Sequence, residues 1–501
     1  MNHEHQVLKL KPIGIDTYRE NIIYMHRNCH ICQSEGFTAL TRIMVHHGNN
    51  SIIATLNVIH SDILDESEAA LSDIAIQRLQ VKPGDLLSVS HLNPILSLSS
   101  VRSKIYGHKL DKAAYKSIIK DITNGLYADI EIAAFLSACS SSNIDLDEII
   151  SLTEAMVASG AQLQWDMHPV LDKHSIGGLP GNRTTPIVVA IIAASGLTMP
   201  KTSSRAITSP AGTADTMETI TNVSLSLDEI KTVVNREGGC FAWGGSVGLS
   251  PADDILITIE KALDIDNQGQ MIASVLSKKA AAGSTHLIIE IPVGDTAKVR
   301  TSEDALKLQK YFHAVANALH IQVEVLITDG SQPVGKGIGP VLEALDIISV
   351  LKNELDAPQD LKQKALLLAG HLLELSDKAA TGKGETFAKE ILESGRAFKK
   401  FQSICHAQGR FTIPEKAAFK KDILSDTSGT ITAIDNRKLA KIAKLAGAPN
   451  YPAAGIFFLA PVGRKVYQGD ILFSIYAETE GTLQYTVDYL NTINNLITIQ
   501  A

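Results

Sequence analysis

Hydrophobic and polar positions change period several times along this chain, and the changes mark out its parts. Over the first hundred residues, short alternating segments such as Ser51-Ile-Ile-Ala-Thr-Leu-Asn-Val-Ile lie between turns such as Lys82-Pro83-Gly84-Asp85. That pattern predicts a small β-rich domain over 1–100. From about Val101 the period becomes helical, with Ala114, Ile118, Ile119 and Ile122 on one face and Ile132, Phe135, Leu136 and Cys139 on another. Asp145 and Asp147 then precede an apolar helix through Ile149, Ile150 and Leu152. Between Val170 and about Gln408 buried strands alternate with helices, as in an α/β core. Leu287-Ile-Ile-Glu-Ile and Val323-Glu-Val-Leu-Ile read as strands. Ile187-Val-Val-Ala-Ile-Ile reads as a strand or equally as a buried helix, because a continuous apolar run does not distinguish the two. A helical insert is expected at 250–283. After Phe411, strands at Thr427-Ser-Gly-Thr-Ile-Thr-Ala-Ile and Ile471-Leu-Phe-Ser-Ile-Tyr flank a helix at 438–445.

The expected fold is therefore a multidomain α/β protein. A β-rich domain spans 1–100, and a helical domain is built from 101–168 with 251–283. A central α/β catalytic domain takes 169–250 with 284–408, and a C-terminal α/β, barrel-sandwich-like domain takes 409–501. The two helical stretches should pack together, with a ligand cleft between the helical and central domains.

With 501 residues, 45% hydrophobic and 20% charged, the chain is long and apolar enough to bury such cores, and too apolar to be disordered. A formal charge of −8 offers no net basic field for a nucleic acid polymer. The longest apolar stretch, 186–197, falls short of the roughly 20 residues that span a bilayer, so no membrane partner is expected. Five scattered cysteines make no disulfide framework and, with no signal-peptide pattern at the start, fit a cytoplasmic protein.

Two polar segments interrupt the α/β pattern. Lys173-His174-Ser175-Ile176-Gly177-Gly178-Leu179-Pro180-Gly181-Asn182-Arg183-Thr184-Thr185 combines a cation, hydroxyls and three glycines that permit close backbone approach. It fits either an oxyanion cradle or an ordinary glycine-rich strand-to-helix loop, and it matches neither a P-loop nor a dinucleotide fingerprint. Lys201-Thr202-Ser203-Ser204-Arg205-Ala206-Ile207-Thr208-Ser209-Pro210-Ala211-Gly212-Thr213 brings two cations and many hydroxyls, suited to a phosphate or a base carbonyl, or to a solvated loop.

KHSIGG followed by SSRAITSPAGTADTME resembles the thymidine/pyrimidine-nucleoside phosphorylase family, in particular its long second subfamily, which also contains archaeal AMP phosphorylases. WGGSVGLSPADD (243–254) and IASVLSKKAAAG (272–283) extend the resemblance along almost the whole chain. It implies phosphorolysis: inorganic phosphate, as co-substrate, attacks the anomeric carbon as the base departs, with no metal and no other cofactor. By the resemblance, Lys173, Ser175, Thr185, Ser203 and Thr213 hold phosphate, and His174 lies near the base carbonyl. Likeness to the AMP enzymes puts Gly178, Ser204, Arg205, Ala206, Ile207, Thr208, Ser209, Thr213, Ser274 and Lys298 on nucleotide contacts, with Asp266 as proton donor to the leaving base.

The substrate-defining positions are mixed. Nucleoside-specific members carry Tyr-x-x-Arg-Asp and Asp-x-Lys-x-Gly segments, where this chain reads Ile257-Thr258-Ile259-Glu260-Lys261 and Glu290-Ile291-Pro292-Val293-Gly294. Lys173, in contrast, matches the nucleoside enzymes. The expected reaction is conversion of thymidine to thymine and 2-deoxy-α-D-ribose 1-phosphate. Cleavage of AMP or another nucleoside 5′-monophosphate to base and ribose 1,5-bisphosphate is the alternative. The expected partners are these small molecules and a second copy of the chain, as a homodimer or higher homo-oligomer.

Three features stand outside that picture. Cys29 and Cys32, with His26 and His30, suggest either a zinc site or a plain β-turn, and no second cysteine pair completes four ligands. The glycine-lysine segments at 335–339 and 382–384 could each hold an anion, and turns are the expected reading. Residues 462–470 resemble the barrel-sandwich fold of lipoyl and biotinyl carriers without their attachment hairpin, so a non-catalytic carrier or nucleotide-binding module is the alternative of a different class.

Overall fold

The computed structural model describes residues 7–140, 143–206, 209–263, 265 and 267–500. The chain forms two compact units, Met1–His108 with Lys120–Phe135 and Lys109–Ile119 with Leu136–Ala501.

In the first unit, β1 (Val7–Leu10), β2 (Ile22–His26), β3 (Arg42–His47), β4 (Asn50–Ile59), β5 (Glu68–Leu71) and β6 (Leu86–His91) close a barrel in the order β1-β5-β2-β4-β3-β6. Two short helices, α1 (His30–Glu35) and α2 (Asp73–Leu79), join its strands. Alternation sends Ile43 and Val45 of β3 inward to meet Leu8, Ile23, Met25, Leu56 and Leu87, and closure leaves no free sheet edge. A turn closed by Cys29 N–H donating to the His26 carbonyl leads into α1, so the cysteine motif is a turn plus one helical segment rather than a turn alone. Both thiols are buried. Their mutual hydrogen bond lowers the Cys29 pKa and raises that of Cys32. Among the described residues no group of three His, Cys, Asp or Glu side chains is arranged to hold a metal ion.

Helices follow the barrel: α3 (Leu98–Ile105), α4 (Lys112–Thr123), α5 (Asp129–Ala138) and α6 (Leu146–Ala158). A capping box of Asp145 and Glu148 starts α6. The α/β region then runs β7 (Leu171–Ser175), α7 (Thr185–Ala194), β8 (Met199–Ser203), α8 (Thr213–Glu218), α9 (Leu227–Glu237) and β9 (Gly239–Trp243). Next come α10 (Pro251–Leu263), α11 (Gln268–Ala281), β10 (His286–Val293), α12 (Ser302–Ala318) and β11 (Gln322–Asp329). The short strand β12 (Gly337–Ile338) precedes α13 (Pro340–Leu351), α14 (Gln359–Leu375), α15 (Gly384–Glu393) and α16 (Arg396–Ala407). Helix α6 packs along α11 and touches α10, so the two helical stretches meet within the second unit.

Strands β11, β10 and β7 form a parallel sheet in that order, and a parallel bridge from Val170 to Thr198 continues it toward the parallel pair β8–β9. The run 187–192 lies in helix α7, which settles the open choice against a strand. Pro186 occupies the first turn of α7, where its missing N–H costs nothing. Helices α13, α14, α15 and α16 and strands β8 and β9 surround α7, which is why every residue from Thr185 to Ala193 is buried and no polar face betrays the helical period.

The C-terminal region comprises β13 (Phe419–Leu424), β14 (Gly429–Ile434), α17 (Asn436–Leu445), β15 (Gly455–Phe458), β16 (Lys465–Val466), β17 (Ile471–Ala477), α18 (Glu480–Leu490) and β18 (Ile497–Gln500). One sheet runs β12-β15-β17-β13 and the other β16-β14-β18, with Ile434, Leu439, Ile442, Phe458 and Phe473 among the residues of their core. Part of the 335–339 segment, expected to be only a turn, is therefore the strand β12 that ties the α/β region to this sheet.

Candidate active site

The first polar segment begins on β7 and turns at that strand's carboxyl end, the crevice side of a parallel sheet. Side chains alternate along a strand, so Asp172 and His174 share one face while Lys173 and Ser175 share the other. Each face carries its own set of charges.

On the Lys173 face the ammonium donates to Thr184 Oγ1 at 2.7 Å and lies 3.6 Å from Glu290 Oε2. Glu290 pairs across the sheet with Ser175 and accepts from its hydroxyl. The same carboxylate meets Lys364 Nζ at 2.6 Å, Thr328 Oγ1 at 3.0 Å and Asn182 Nδ2 at 3.4 Å. Burial opposes ionisation of Glu290, yet Lys173 and Lys364 outweigh it and hold its pKa at about 2. Burial pulls Lys173 down to about 8 against the attraction of Glu290, with Lys364 and Arg183 pushing the same way as burial.

On the opposite face Asp172 takes Lys201 Nζ at 2.7 Å and Lys279 Nζ at 2.8 Å. All three side chains are nearly inaccessible. Burial works against the Asp172 carboxylate, but the two lysines keep its pKa below the ordinary value. Burial lowers the Lys279 pKa against the attraction of Asp172, and Lys201 pushes the same way as burial. His174 projects into this surplus of positive charge. Burial and then Lys279, Lys201, Lys278 and Lys173 push its pKa well below the usual value, so the imidazole is neutral at neutral pH. A neutral imidazole offers one N–H donor and one acceptor. Around β7, four buried or nearly buried lysines face two carboxylates, in a chain whose total charge is −8.

The glycine loop closes against a second segment. Gly178 has φ +94°, and a Cβ there would lie 2.4 Å from the backbone nitrogen of Lys298, so the expected contacts Gly178 and Lys298 do meet. Lys298 itself is exposed. Thr185 is the first residue of α7 and is buried beside Thr184. Thr213 opens α8, and Arg183 Nη1 reaches its hydroxyl at 3.0 Å, which joins the two polar segments.

The remaining expected residues, among those described, lie in the second polar segment and in α11. Ser203 ends β8, half-buried, with Ser204 exposed beyond it. Arg205 does not present a free charge: its guanidinium meets Asp215 at 3.3 Å and Glu218 at 2.5 Å, and stacks 4.7 Å from the Trp243 ring centroid. The Ala206 N–H donates to Asp215 at 2.6 Å, and Ser209 Oγ donates to the Ala211 carbonyl, so both serve the loop itself. Ser274 is buried in α11. Ile207, Thr208 and Asp266 lie outside the described residues.

No motif marks Asp172, Glu290, Lys279, Lys364, Arg183 or Glu343 in the sequence for the pairings they make here. The available signal was a charge inside an apolar element, as in Leu287-Ile-Ile-Glu290-Ile, since an unpaired charge is not tolerated there.

Known proteins resemble the chain along its length. Residues 99–160 match the helical bundle domain of the glycosyl transferase family, 167–398 match the a/b domain of that family, and 430–499 match the pyrimidine nucleoside phosphorylase C-terminal domain. The last match sets the C-terminal region with the phosphorylases rather than with the lipoyl and biotinyl carriers. A protein of Hahella chejuensis named "Putative thymidine phosphorylase" is 52% identical over 99% of this chain and 98% of its own. A Legionella pneumophila protein of the same name is 54% identical over 98% of this chain and 95% of its own. Anthranilate phosphoribosyltransferase from Thermus thermophilus shares the fold, with a TM-score of 0.53 at 19% identity, over 62% of this chain and 99% of that one. With near-complete coverage at more than half identity, and domain matches in the same order, this chain belongs to the thymidine/pyrimidine-nucleoside phosphorylase family.

Proposed function

We propose that the chain is a pentosyltransferase that cleaves thymidine with inorganic phosphate, giving thymine and 2-deoxy-α-D-ribose 1-phosphate. The observation that carries the reading is the excess of buried lysine over carboxylate around the carboxyl end of β7. Such a site lowers the cost of holding an oxyanion away from bulk water. Lys173, Ser175, Thr185, Ser203 and Thr213 hold and orient the phosphate. One phosphate oxygen forms the new bond to C1′ as the C1′–N bond breaks, and the bonding pair leaves with the base. His174, neutral and on the opposite face from Lys173, donates a hydrogen bond to the base carbonyl as negative charge develops there. The reaction needs phosphate as co-substrate and no other cofactor. The reading includes a homodimer and a cytoplasmic location.

A nucleoside 5′-monophosphate is the second reading. It is favoured by exposed Lys298 beside the Gly178 loop, where a cation suits a 5′-phosphate. Asp266 is its proton donor. The test is phosphate-dependent base release from purified protein offered thymidine, uridine, AMP, CMP and UMP in parallel. Release from thymidine in preference to the nucleotides is expected, and release from AMP but not thymidine overturns the first reading.

A further inference from the structure

Arg183 sits inside the first polar segment, yet its geometry is not that of a phosphate ligand. Nε donates to Glu343 Oε2 at 2.7 Å, Nη2 to the Ala211 carbonyl at 2.8 Å, and Nη1 to Thr213 Oγ1 at 3.0 Å. All three nitrogens are engaged, and the charge is matched by a carboxylate with 1% side-chain exposure. Glu343 is itself held from other directions, by Thr216 Oγ1 at 2.9 Å and the Gly339 N–H at 3.3 Å. Arg183, in the loop before α7, is thus tied to Glu343 of α13 and cannot swing toward a ligand without leaving that buried carboxylate without its counter-charge.

The consequence falls on Thr213. A guanidinium has donors only, so Thr213 Oγ1 must accept from Arg183. A hydroxyl has one proton, and with an oxygen lone pair committed that proton is directed to a different acceptor. Thr184, the residue after Arg183, is treated alike, because the Lys173 ammonium is also a pure donor. A threonine free to rotate would offer an anion its lone pairs part of the time, whereas this one offers its proton.

We propose that Arg183 and Glu343 form a positioning pair that fixes the Thr213 hydroxyl as a hydrogen-bond donor to the phosphate, without Arg183 itself touching it. This rests on the reading of Thr213 as a phosphate contact given above. The arginine's fork is required, since a lysine at 183 retains the charge opposite Glu343 but cannot span Glu343, Ala211 and Thr213 together.

The test is a double-mutant cycle of Arg183→Met and Thr213→Val on the full-length protein. It is titrated calorimetrically with inorganic phosphate and assayed for the KM of phosphate and of nucleoside. Each single variant should weaken phosphate binding about tenfold, and the double variant should be no weaker than either, because one removes the hydroxyl donor and the other its orientation. KM for nucleoside should stay within about twofold while KM for phosphate rises, a split that general loosening of the fold would not give. Additive losses, or unchanged phosphate affinity in either single variant, overturn the pair. Should Arg183→Met fail to fold, Arg183→Lys replaces it in the cycle, and full phosphate affinity in that variant overturns the pair equally. The titration does not depend on the nucleoside: wild-type protein that binds phosphate but cleaves no thymidine overturns the substrate, not the pair.

Discussion

Lys173 and His174 are consecutive in sequence and project from opposite faces of β7, one toward Glu290 and Thr184, the other toward the cluster of Asp172, Lys201 and Lys279. In the proposed reaction one strand end serves two tasks with adjacent residues: a cation for the entering phosphate, and a neutral donor for the departing base.

Lys173, pulled down to about 8, is an ammonium at pH 7 and loses its charge as pH rises through 8. Phosphate affinity should fall in the same direction, with KM for phosphate rising about tenfold per pH unit once Lys173 is mostly neutral. Steady-state kinetics across pH 7 to 9.5 checks this, and a flat KM for phosphate over that range removes Lys173 from the phosphate site.

His174→Ala should lower kcat about a hundredfold, in the range expected for loss of a positioned donor, with KM for phosphate changed less than about threefold. Because the imidazole is already neutral, the wild-type pH profile should show no break from His174 between pH 6 and 8. A histidine resonance titrating in that window and assigned to residue 174 would contradict the assignment.

Glu290→Gln leaves Lys173 and Lys364 buried without their carboxylate and should destabilise the protein by about 3–5 kcal/mol. The pH dependence has a definite sign. The folded pKa of Glu290, about 2, lies below the ordinary 4.5, so its stabilisation is present above pH 4.5 and is lost as pH falls toward 2. Denaturant unfolding of wild type and variant should converge over that interval, and a constant difference would refute the linkage.

Gly177 and Gly178 provide a matched pair. Both have positive φ, +88° and +94°, but a Cβ at Gly177 meets nothing within 4 Å while one at Gly178 meets Lys298 N at 2.4 Å. Gly177→Ala should cost only the backbone term, about 1 kcal/mol, and Gly178→Ala distinctly more, together with a higher KM for nucleoside. Equal Tm values for the two variants would show that the loop does not pack as described.

The parts of the chain that could be read in advance are those where one face of an element meets water. Barrel strands such as β3 and helices such as α4 and α6 print their period into the sequence, because burial on one side selects residues at a fixed spacing. The two polar segments were legible for a related reason: glycines, cations and hydroxyls interrupt apolar patterns where a loop must approach a ligand. Helix α7 lacked such a signal, since neighbours on every side erase the contrast that reveals the period. Pairing was beyond the sequence as well. Asp172 meets Lys279 across more than a hundred residues of chain, Arg183 meets Glu343 across 160, and Arg205 is taken up by Asp215 and Glu218 instead of standing open to an anion. Residue types and local spacing determine which charges exist and which loops carry them. Which charge neutralises which depends on distances of a few ångströms between distant segments, because the Coulomb energy and the burial that amplifies it are set only when the tertiary structure brings those segments together.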